Sequence, residues 1–188
     1  DELKLNIDEM GIAASSGAYA LGRKTDELLV TAAEATSNTS ISGVPLTSGL
    51  KAVDVHATVE EFGDADVPDD GQRFWITGWS QWGHLMQITA FTSMDFQSGR
   101  PHEGTTSAKS WNTFTFMPFS GLTDDGTDKT NLIYHRSGIG HCIGAEISTD
   151  ITWQGLYAAH FVDNMMSMGA VIIDGNSVYK QAYRNVLS

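Results

Sequence analysis

The sequence predicts an α+β fold, with its helices early in the chain and its strands late. Ala and Leu residues between positions 8 and 36 recur at steps of three to four, which is the spacing of one helix face. The segment 147–153 alternates Ile, Thr, Ile and Trp with small polar residues, which predicts a half-buried strand. Helices followed by strands are typical of the α+β class.

The first helix is predicted from about residue 8 to residue 36, which gives a length of roughly 42 Å. Acidic residues at its beginning suit the helix dipole. Its small residues leave room for a sheet or a neighbouring subunit to lie close. A second helix fits Ser48 to Phe62 with Ser48 as its N-cap, and a third helix fits about Ser80 to Ile88.

The strands are predicted from apolar runs and from alternation. Short strands fit Phe74–Thr77 and Leu132–Tyr134, and a longer one fits Trp111–Phe119. A final β-rich run covers Gly169–Asp174, turns at Gly175-Asn176 and returns through Val178-Tyr179. The polar stretch 97–109 is predicted to be an exposed loop. Helix propensity favours a helix over Leu156–Met168, although a strand fits there as well.

Four segments, taken in order, resemble tailed-bacteriophage major capsid proteins with the Hong Kong 97-type fold. Gly22-Arg23-Lys24 followed by Asp26-Glu27-Leu28-Leu29 resembles the spine helix of that family. Residues 65–74 resemble the entry into its A-domain, where a strand and a Trp-bearing helix follow at Ile76 and at Trp82–Met86. Residues 132–180 resemble its C-terminal end, including the Gly-Ala-hydrophobic-hydrophobic-Asp pattern at 169–174.

The resemblance implies a long spine helix, a P-domain sheet and an inserted A-domain. The P-domain is expected to comprise 1–72 and 145–188, and the A-domain 73–144. The resemblance also favours a strand over 156–168, with one face listed here: Val162, Met166, Met168, Ala170 and Ile172. The chain begins at the spine helix, so the N-terminal arm and E-loop of the family are not expected in it.

The function implied is that of a major capsid protein, a structural subunit rather than an enzyme. The expected partners are copies of itself, in pentamers and hexamers that build the icosahedral head around double-stranded phage DNA. Decoration, scaffold and portal proteins are further expected partners. The expected location is the virion, after assembly in the cytoplasm of the host bacterium. An encapsulin-like compartment shell is the nearest alternative.

Composition agrees with a protein that does not bind nucleic acid sequence-specifically. The chain has 23 acidic and 11 basic residues, for a net charge of −12, whereas phosphate contacts need clustered Lys and Arg. An acidic shell would not trap the DNA that it encloses. The apolar runs are much shorter than the roughly 20 residues that span a membrane, so no membrane contact is expected. The single cysteine, Cys142, allows no intrachain disulfide.

Three patterns in the sequence resemble sites of chemistry. Gly78-Trp79-Ser80-Gln81-Trp82 approaches a nucleophile elbow, so a small serine hydrolase using Ser80 is the alternative of another class. Trp82 replaces the final Gly of that motif, and a helix N-cap is the favoured role for Ser80.

The other two patterns concern metals. His135, His141 and Cys142, with His160, lack the paired spacing of a zinc site. Asp124, Asp125 and Asp128 lack the spacing of a calcium loop. The prediction is therefore no catalytic, cofactor-binding or metal site. Among the five Trp residues, some are expected in the core and others at subunit contacts.

Overall fold

The computed structural model describes residues 9–39, 41, 48–93 and 108–186. The helices are α1 (Glu9–Glu34), α2 (Ala52–Asp64), α3 (Trp79–Leu85) and α4 (Thr89–Thr92). The strands are β1 (Arg73–Thr77), β2 (Lys109–Trp111), β3 (Phe114–Pro118), β4 (Asp128–His135), β5 (Ile139–Gln154), β6 (Ala159–Ile172) and β7 (Val178–Arg184). Two short 3₁₀ helices, Arg136–Gly138 and Gly175–Ser177, precede β5 and β7.

Contacts divide the chain into two compact units. The first takes α1 as far as Leu29 together with His141–Ala170, and the second takes Val30–Gly140 together with Val171–Ser188. The predicted division into a P-domain (1–72 and 145–188) and an A-domain (73–144) stays a prediction. Helix α2 and strand β7 belong to the same unit as β1 to β4.

A five-stranded mixed sheet organises the second unit, in the order β2-β3-β1-β4-β7. Strands β1 and β3 are parallel, and the other neighbouring pairs are antiparallel. One face packs against α2, α3 and α4 through a core that includes Phe62, Trp75 and Phe91. The other face packs against the last turn of α1 through Val30, Ala33 and Leu132. The sheet is therefore covered on both faces.

The outer edge of β7 is covered by the segment that connects α1 to α2. Lys180 donates its backbone N–H to the Asn38 carbonyl at 2.9 Å, and Arg184 donates to the Ser48 carbonyl at 3.1 Å. Between them, the Gln181 side chain accepts the backbone N–H of Ile41 at 3.0 Å. These contacts occupy main-chain groups that an edge strand would otherwise offer to another chain.

The first unit consists of α1 and the β5–β6 hairpin, a separate two-stranded sheet. Gly17 allows a close approach of the two, because a Cβ there would lie 2.1 Å from Nδ2 of Asn164. The Asn164 amide oxygen in turn accepts a hydrogen bond from the Thr149 hydroxyl at 2.6 Å. About two turns further along α1, the Thr25 hydroxyl lies 3.8 Å from the Met166 sulfur. The helix thus contacts the hairpin through β6.

The predicted α+β class is confirmed, as is the long first helix. The strand interpretation of 156–168 is confirmed over β6, where β-structure prevails over the helix propensity of Ala and Met. The residues predicted to share one face are all half-buried: Val162, Met166, Met168, Ala170 and Ile172. Met165, Ser167, Gly169 and Val171, on the other face, are exposed. The predicted loop at 97–109 falls almost entirely outside the described residues.

Both predicted helix N-caps are wrong. Lys51 is the N-cap of α2, where its backbone N–H is accepted by the Asp54 carboxylate at 2.8 Å, so Asp54 takes the capping role predicted for Ser48. Gly78 is the N-cap of α3, because its carbonyl accepts the Trp82 N–H at 2.9 Å. Ser80 therefore lies inside the first turn.

The single strand predicted over 111–119 is two strands. Asn112 and Thr113 adopt positive φ values of 47° and 72° and form a two-residue turn, with Trp111 opposite Phe114. Positive φ at both central residues is the requirement of a type I′ hairpin turn. Alternation alone cannot detect this turn, because the hairpin continues the alternation on both sides.

Carboxylates hold several turns of the second unit. Asp70 accepts hydrogen bonds from the Gln72 backbone and from His135 Nε2 at 3.0 Å. Asp124 and Asp125 accept backbone N–H groups of Gly126, Thr127 and Asp128. The hydrogen bond from His135 lowers the pKa of Asp70. Backbone hydrogen bonds lower the pKa values of Asp124 and Asp125.

The contact at Gly17 predicts opposite effects for two alanine substitutions in the same helix. Gly22→Ala meets nothing within 4 Å and should stabilise the helix by about 1 kcal/mol. Gly17→Ala should instead lower the free energy of unfolding by about 1 kcal/mol or more, because Asn164 must move and lose its bond to Thr149. Urea unfolding followed by circular dichroism measures both. Equal stabilisation by the two variants would show that α1 does not pack closely on Asn164.

The lowered carboxyl pKa values predict a loss of stability in acid. A carboxyl group whose pKa is lower in the folded chain stabilises it above the unfolded value of 3.8, and this contribution is lost as the pH falls through the folded value. Asp54 acts in the opposite direction, because burial raises its pKa. We expect the urea midpoint to fall below about pH 4, and to fall less in Asp70→Asn. Asp69→Asn is the matched control, since it removes an equal charge but not the bond to His135. An unchanged acid response in Asp70→Asn would contradict this assignment.

Candidate assembly surface

Most large apolar side chains exposed in the described part of the chain lie on the β5–β6 hairpin or at its ends. They are Ile143, Ile147, Ile151, Trp153, Leu156, Tyr157, Phe161, Met165, Val171 and Ile173. This corrects the prediction of a half-buried strand over 147–153, because residues 141–161 are exposed on both faces. Large contiguous apolar patches on a protein surface mark sites of association.

One face of β5 carries an uncharged apolar row, called here the isoleucine stripe: Ile143, Ala145, Ile147, Thr149, Ile151 and Trp153. These odd-numbered residues share a face because side chains alternate along a strand. Ile147 and Ile151 are 43% and 44% exposed, even though α1 contacts the neighbouring strand β6. The helix therefore leaves the stripe of β5 accessible.

The opposite face of the hairpin is acidic. The bond from Thr149 to Asn164 and the contact of Trp153 with His160 place odd residues of β5 and even residues of β6 on one face. Glu146, Asp150 and Asp163, the carboxylates of the two strands, consequently lie on the other face. One face of β5 is apolar and the opposite face of the hairpin carries the carboxylates, so a partner would make apolar contacts with the first and polar contacts with the second.

The tip of the hairpin combines exposed aromatic groups with a strained backbone. Leu156 and Tyr157 are 87% and 77% exposed. Trp153 and His160 meet edge to face, with ring centroids 5.1 Å apart. Ala158 has a φ of 47°, which costs a non-glycine residue roughly 1–2 kcal/mol. Exposed aromatics are the residues that contribute most binding energy at protein interfaces.

Ser80, the nucleophile of the hydrolase alternative, lies exposed on α3. Its neighbours are used structurally. The Gln81 amide donates to the Tyr183 and Arg184 carbonyls at 3.1 Å, and Trp82 is buried in the core. The segment thus forms a short packed helix on which Ser80 is exposed, and not the sharp strand-to-helix turn of a nucleophile elbow.

The structure gives His135 a different role from metal binding. Its Nδ1 accepts the Ser137 backbone N–H at 3.3 Å and lies 2.7 Å from the Ser137 hydroxyl, while Nε2 lies 3.0 Å from Asp70. Because Nδ1 accepts a backbone N–H, the Nε2 proton is donated to Asp70. The buried ring caps the 3₁₀ helix Arg136–Gly138 and ties it to the turn before β1. Sequence reasoning missed this contact, because Asp70 is 65 residues away.

The remaining candidate ligands are dispersed or internally bonded. His141, Cys142 and His160 are exposed on the hairpin. Asp124 and Asp125 are turned toward backbone N–H groups of their own loop. No group of three or more His, Cys, Asp or Glu side chains within the described residues is arranged to hold a metal ion. The predicted lack of catalytic, cofactor and metal sites stays a prediction.

Some tryptophans lie in the core and others are exposed, while the predicted place of the exposed ones at subunit contacts stays a prediction. Trp75 and Trp82 are buried, and Trp111 packs against the same core. Trp79 and Trp153 are 55% and 59% exposed.

Among the helices that the structure describes, none is both long enough and apolar enough to cross a membrane.

Similarity to solved structures gives the fold. A structure of Mycobacterium phage Che8 superposes with a TM-score of 0.71 at 15% identity, over 93% of this chain and 62% of that one. The capsid structure of cyanophage P-SCSP1u gives a TM-score of 0.68 at 13% identity, over 96% and 67% of the two chains. The SrpI encapsulin of Synechococcus elongatus PCC 7942 gives 0.60 at 10% identity, over 100% and 69%. The chain thus spans less than two thirds of the length of the Che8 protein.

The model of a family described as phage capsid protein matches residues 1–184. No curated protein matches the sequence significantly. The family consists of structural proteins, which confirms the prediction that the chain is not an enzyme. A family match over nearly the whole length, with the fold of phage capsids, establishes that the chain belongs to the phage capsid protein family with the Hong Kong 97-type fold.

Proposed function

We propose that the chain is the major capsid subunit of a tailed bacteriophage, and that copies of it form pentamers and hexamers that close into an icosahedral head. The observation that carries this proposal is the exposed apolar hairpin. In this capsid fold, most of the large apolar side chains exposed among the described residues lie on the β5–β6 hairpin or at its ends. Exposed apolar surface of this extent is typical of sites where proteins associate.

The two compact units suggest which part of the subunit makes which contacts in the shell. In our proposal the α1–hairpin unit acts as the P-domain, the part that contacts neighbouring subunits along its length. The covered five-stranded sheet acts as the core of the A-domain, which gathers around the local symmetry axis. The predicted boundaries of 73 and 144 would then move, because α2 and β7 pack with the sheet.

The proposed contents of the shell follow from charge. With a net charge of −12 the chain has no excess of cations with which to bind phosphates. The head would enclose double-stranded DNA without sequence-specific contacts. Scaffold, portal and decoration proteins would be its further partners, and assembly would take place in the cytoplasm of the host bacterium.

An encapsulin-like compartment shell is the second candidate. The encapsulin superposes over the whole of this chain, although with a lower TM-score than the phage proteins. The two candidates differ in their contents. Particles purified from infected cells that contain a protein cargo and no packaged DNA would favour the encapsulin interpretation.

Charge at the hairpin tip should prevent particle formation without unfolding the subunit. Leu156→Asp combined with Tyr157→Asp changes two highly exposed residues, so the subunit should keep its circular dichroism spectrum and thermal midpoint. We expect particles of the unmodified protein by light scattering and negative-stain microscopy, and only small species from the variant.

Val53→Asp is the matched control, because Val53 is a similarly exposed apolar residue on α2. It should assemble as the unmodified protein does. Normal particles from the tip variant would exclude the tip from the assembly contacts. An unmodified protein that forms no large particles at all would contradict the capsid proposal itself.

A further inference from the structure

Strand β5 has a long outer edge that the described part of the chain leaves unpaired. It spans sixteen residues, and its sheet has only one other strand, β6. Two-stranded hairpins are marginally stable alone, and a free edge offers a row of N–H and C=O groups to another strand. The outer edge of β7, by contrast, is contacted by residues around Asn38 and Ser48.

The side chains of β6 from Val162 to Ile172 that share a face with the isoleucine stripe are less accessible to a partner than those of β5, because they are half-buried. Helix α1 already contacts β6 at Asn164 and Met166. In β5 the edge and the isoleucine stripe are accessible together. An added strand on that side would therefore gain main-chain hydrogen bonds and apolar contacts in the same step.

We propose that β5 pairs antiparallel with β5 of a second copy, centred on Ile147, to form a four-stranded sheet across a two-fold axis. This inference rests on the proposed function only in taking the second copy to be a neighbouring shell subunit. A two-fold axis perpendicular to the sheet keeps both isoleucine stripes on one face, and it pairs odd residues with odd residues. Isologous contacts of this kind are the commonest in homo-oligomers.

Charge and overlap select the register. Centring the pair on Glu146 or Asp150 would place identical carboxylates opposite each other. Centring it on Ser148 would place Glu146 opposite Asp150. Like charges directly opposite each other are destabilising, so these three registers are disfavoured. Centring it on Ile147 places Glu146 opposite Ser148 and Asp150 opposite Gly144. Of the odd-numbered centres, Ile147 lies nearest the middle of β5 and pairs the most residues.

The same register matches the apolar side chains. Ile147 faces its own copy, Ile143 faces Ile151, and Ala145 faces Thr149. The opposing Cα atoms of an antiparallel pair lie about 4.5–5.5 Å apart, which is within the range that a disulfide bridges. A cysteine at the centre of the pair can therefore cross-link to itself, whereas a cysteine away from the centre cannot.

Cysteine cross-linking tests the pairing and its register together. Cys142→Ser first removes the natural thiol. On that background, Ile147→Cys should give a disulfide-linked dimer on mild oxidation of assembled particles, read on a non-reducing gel. Ile143→Cys alone should remain monomeric, and Ile143→Cys with Ile151→Cys should cross-link again.

The outcomes separate this inference from the proposed function. Particles that form normally while Ile147→Cys stays monomeric would overturn the pairing and leave the capsid proposal standing. Equal cross-linking by Ile143→Cys alone would overturn the register. If no particles form, the same three variants are scored on the soluble protein, where dimers from Ile147→Cys still support the pairing and their lack rejects it.

Discussion

The packing around Trp75 is the constraint on which the arrangement of the second unit depends. The buried indole stacks on Phe116 with ring centroids 5.2 Å apart and meets Phe114 edge to face at 5.5 Å, with Tyr183 at 6.3 Å. These rings come from β1, β3 and β7, which are far apart in sequence. Full burial of an aromatic side chain contributes about 1.5–3 kcal/mol. The cluster therefore joins β1 and β3, which precede β5 and β6 in the chain, to β7, which follows them.

The base of the β5–β6 hairpin is held by main-chain contacts. The Gly138 carbonyl accepts the Ile173 N–H at 2.8 Å, and Cβ atoms at Gly138 would collide with Ser177 and Val178. Beyond this base the strands have no comparable cover. A hairpin exposed on both faces gains little stability from its own burial, so much of its order in a particle would come from neighbouring copies. Under the proposed function, folding of the first unit and assembly of the shell would therefore be coupled.

The sequence predicted the elements better than it predicted their surroundings. Alternation located β5, and the family pattern at 169–174 located the end of β6, because both signals are local. The exposure of Ile147 could not be predicted, since alternation shows which residues share a face but not what covers that face. The turn at Asn112-Thr113 and the cap made by Asp54 depend on backbone geometry that periodicity does not contain. The bond between His135 and Asp70 joins distant segments and has no local pattern.

The covered edge of β7 has a consequence for the fidelity of shell building. In a shell subunit, each unpaired strand edge would offer a further way to join a neighbour, and a shell would repeat any mistake across many copies. Here the segment around Asn38, Ile41 and Ser48 removes one of those options within each subunit. Fewer incorrect contacts between subunits would then be available during assembly. Under the proposed function, weakening the contacts of Asn38, Ile41 and Ser48 with β7 would expose that edge and favour misassembled particles.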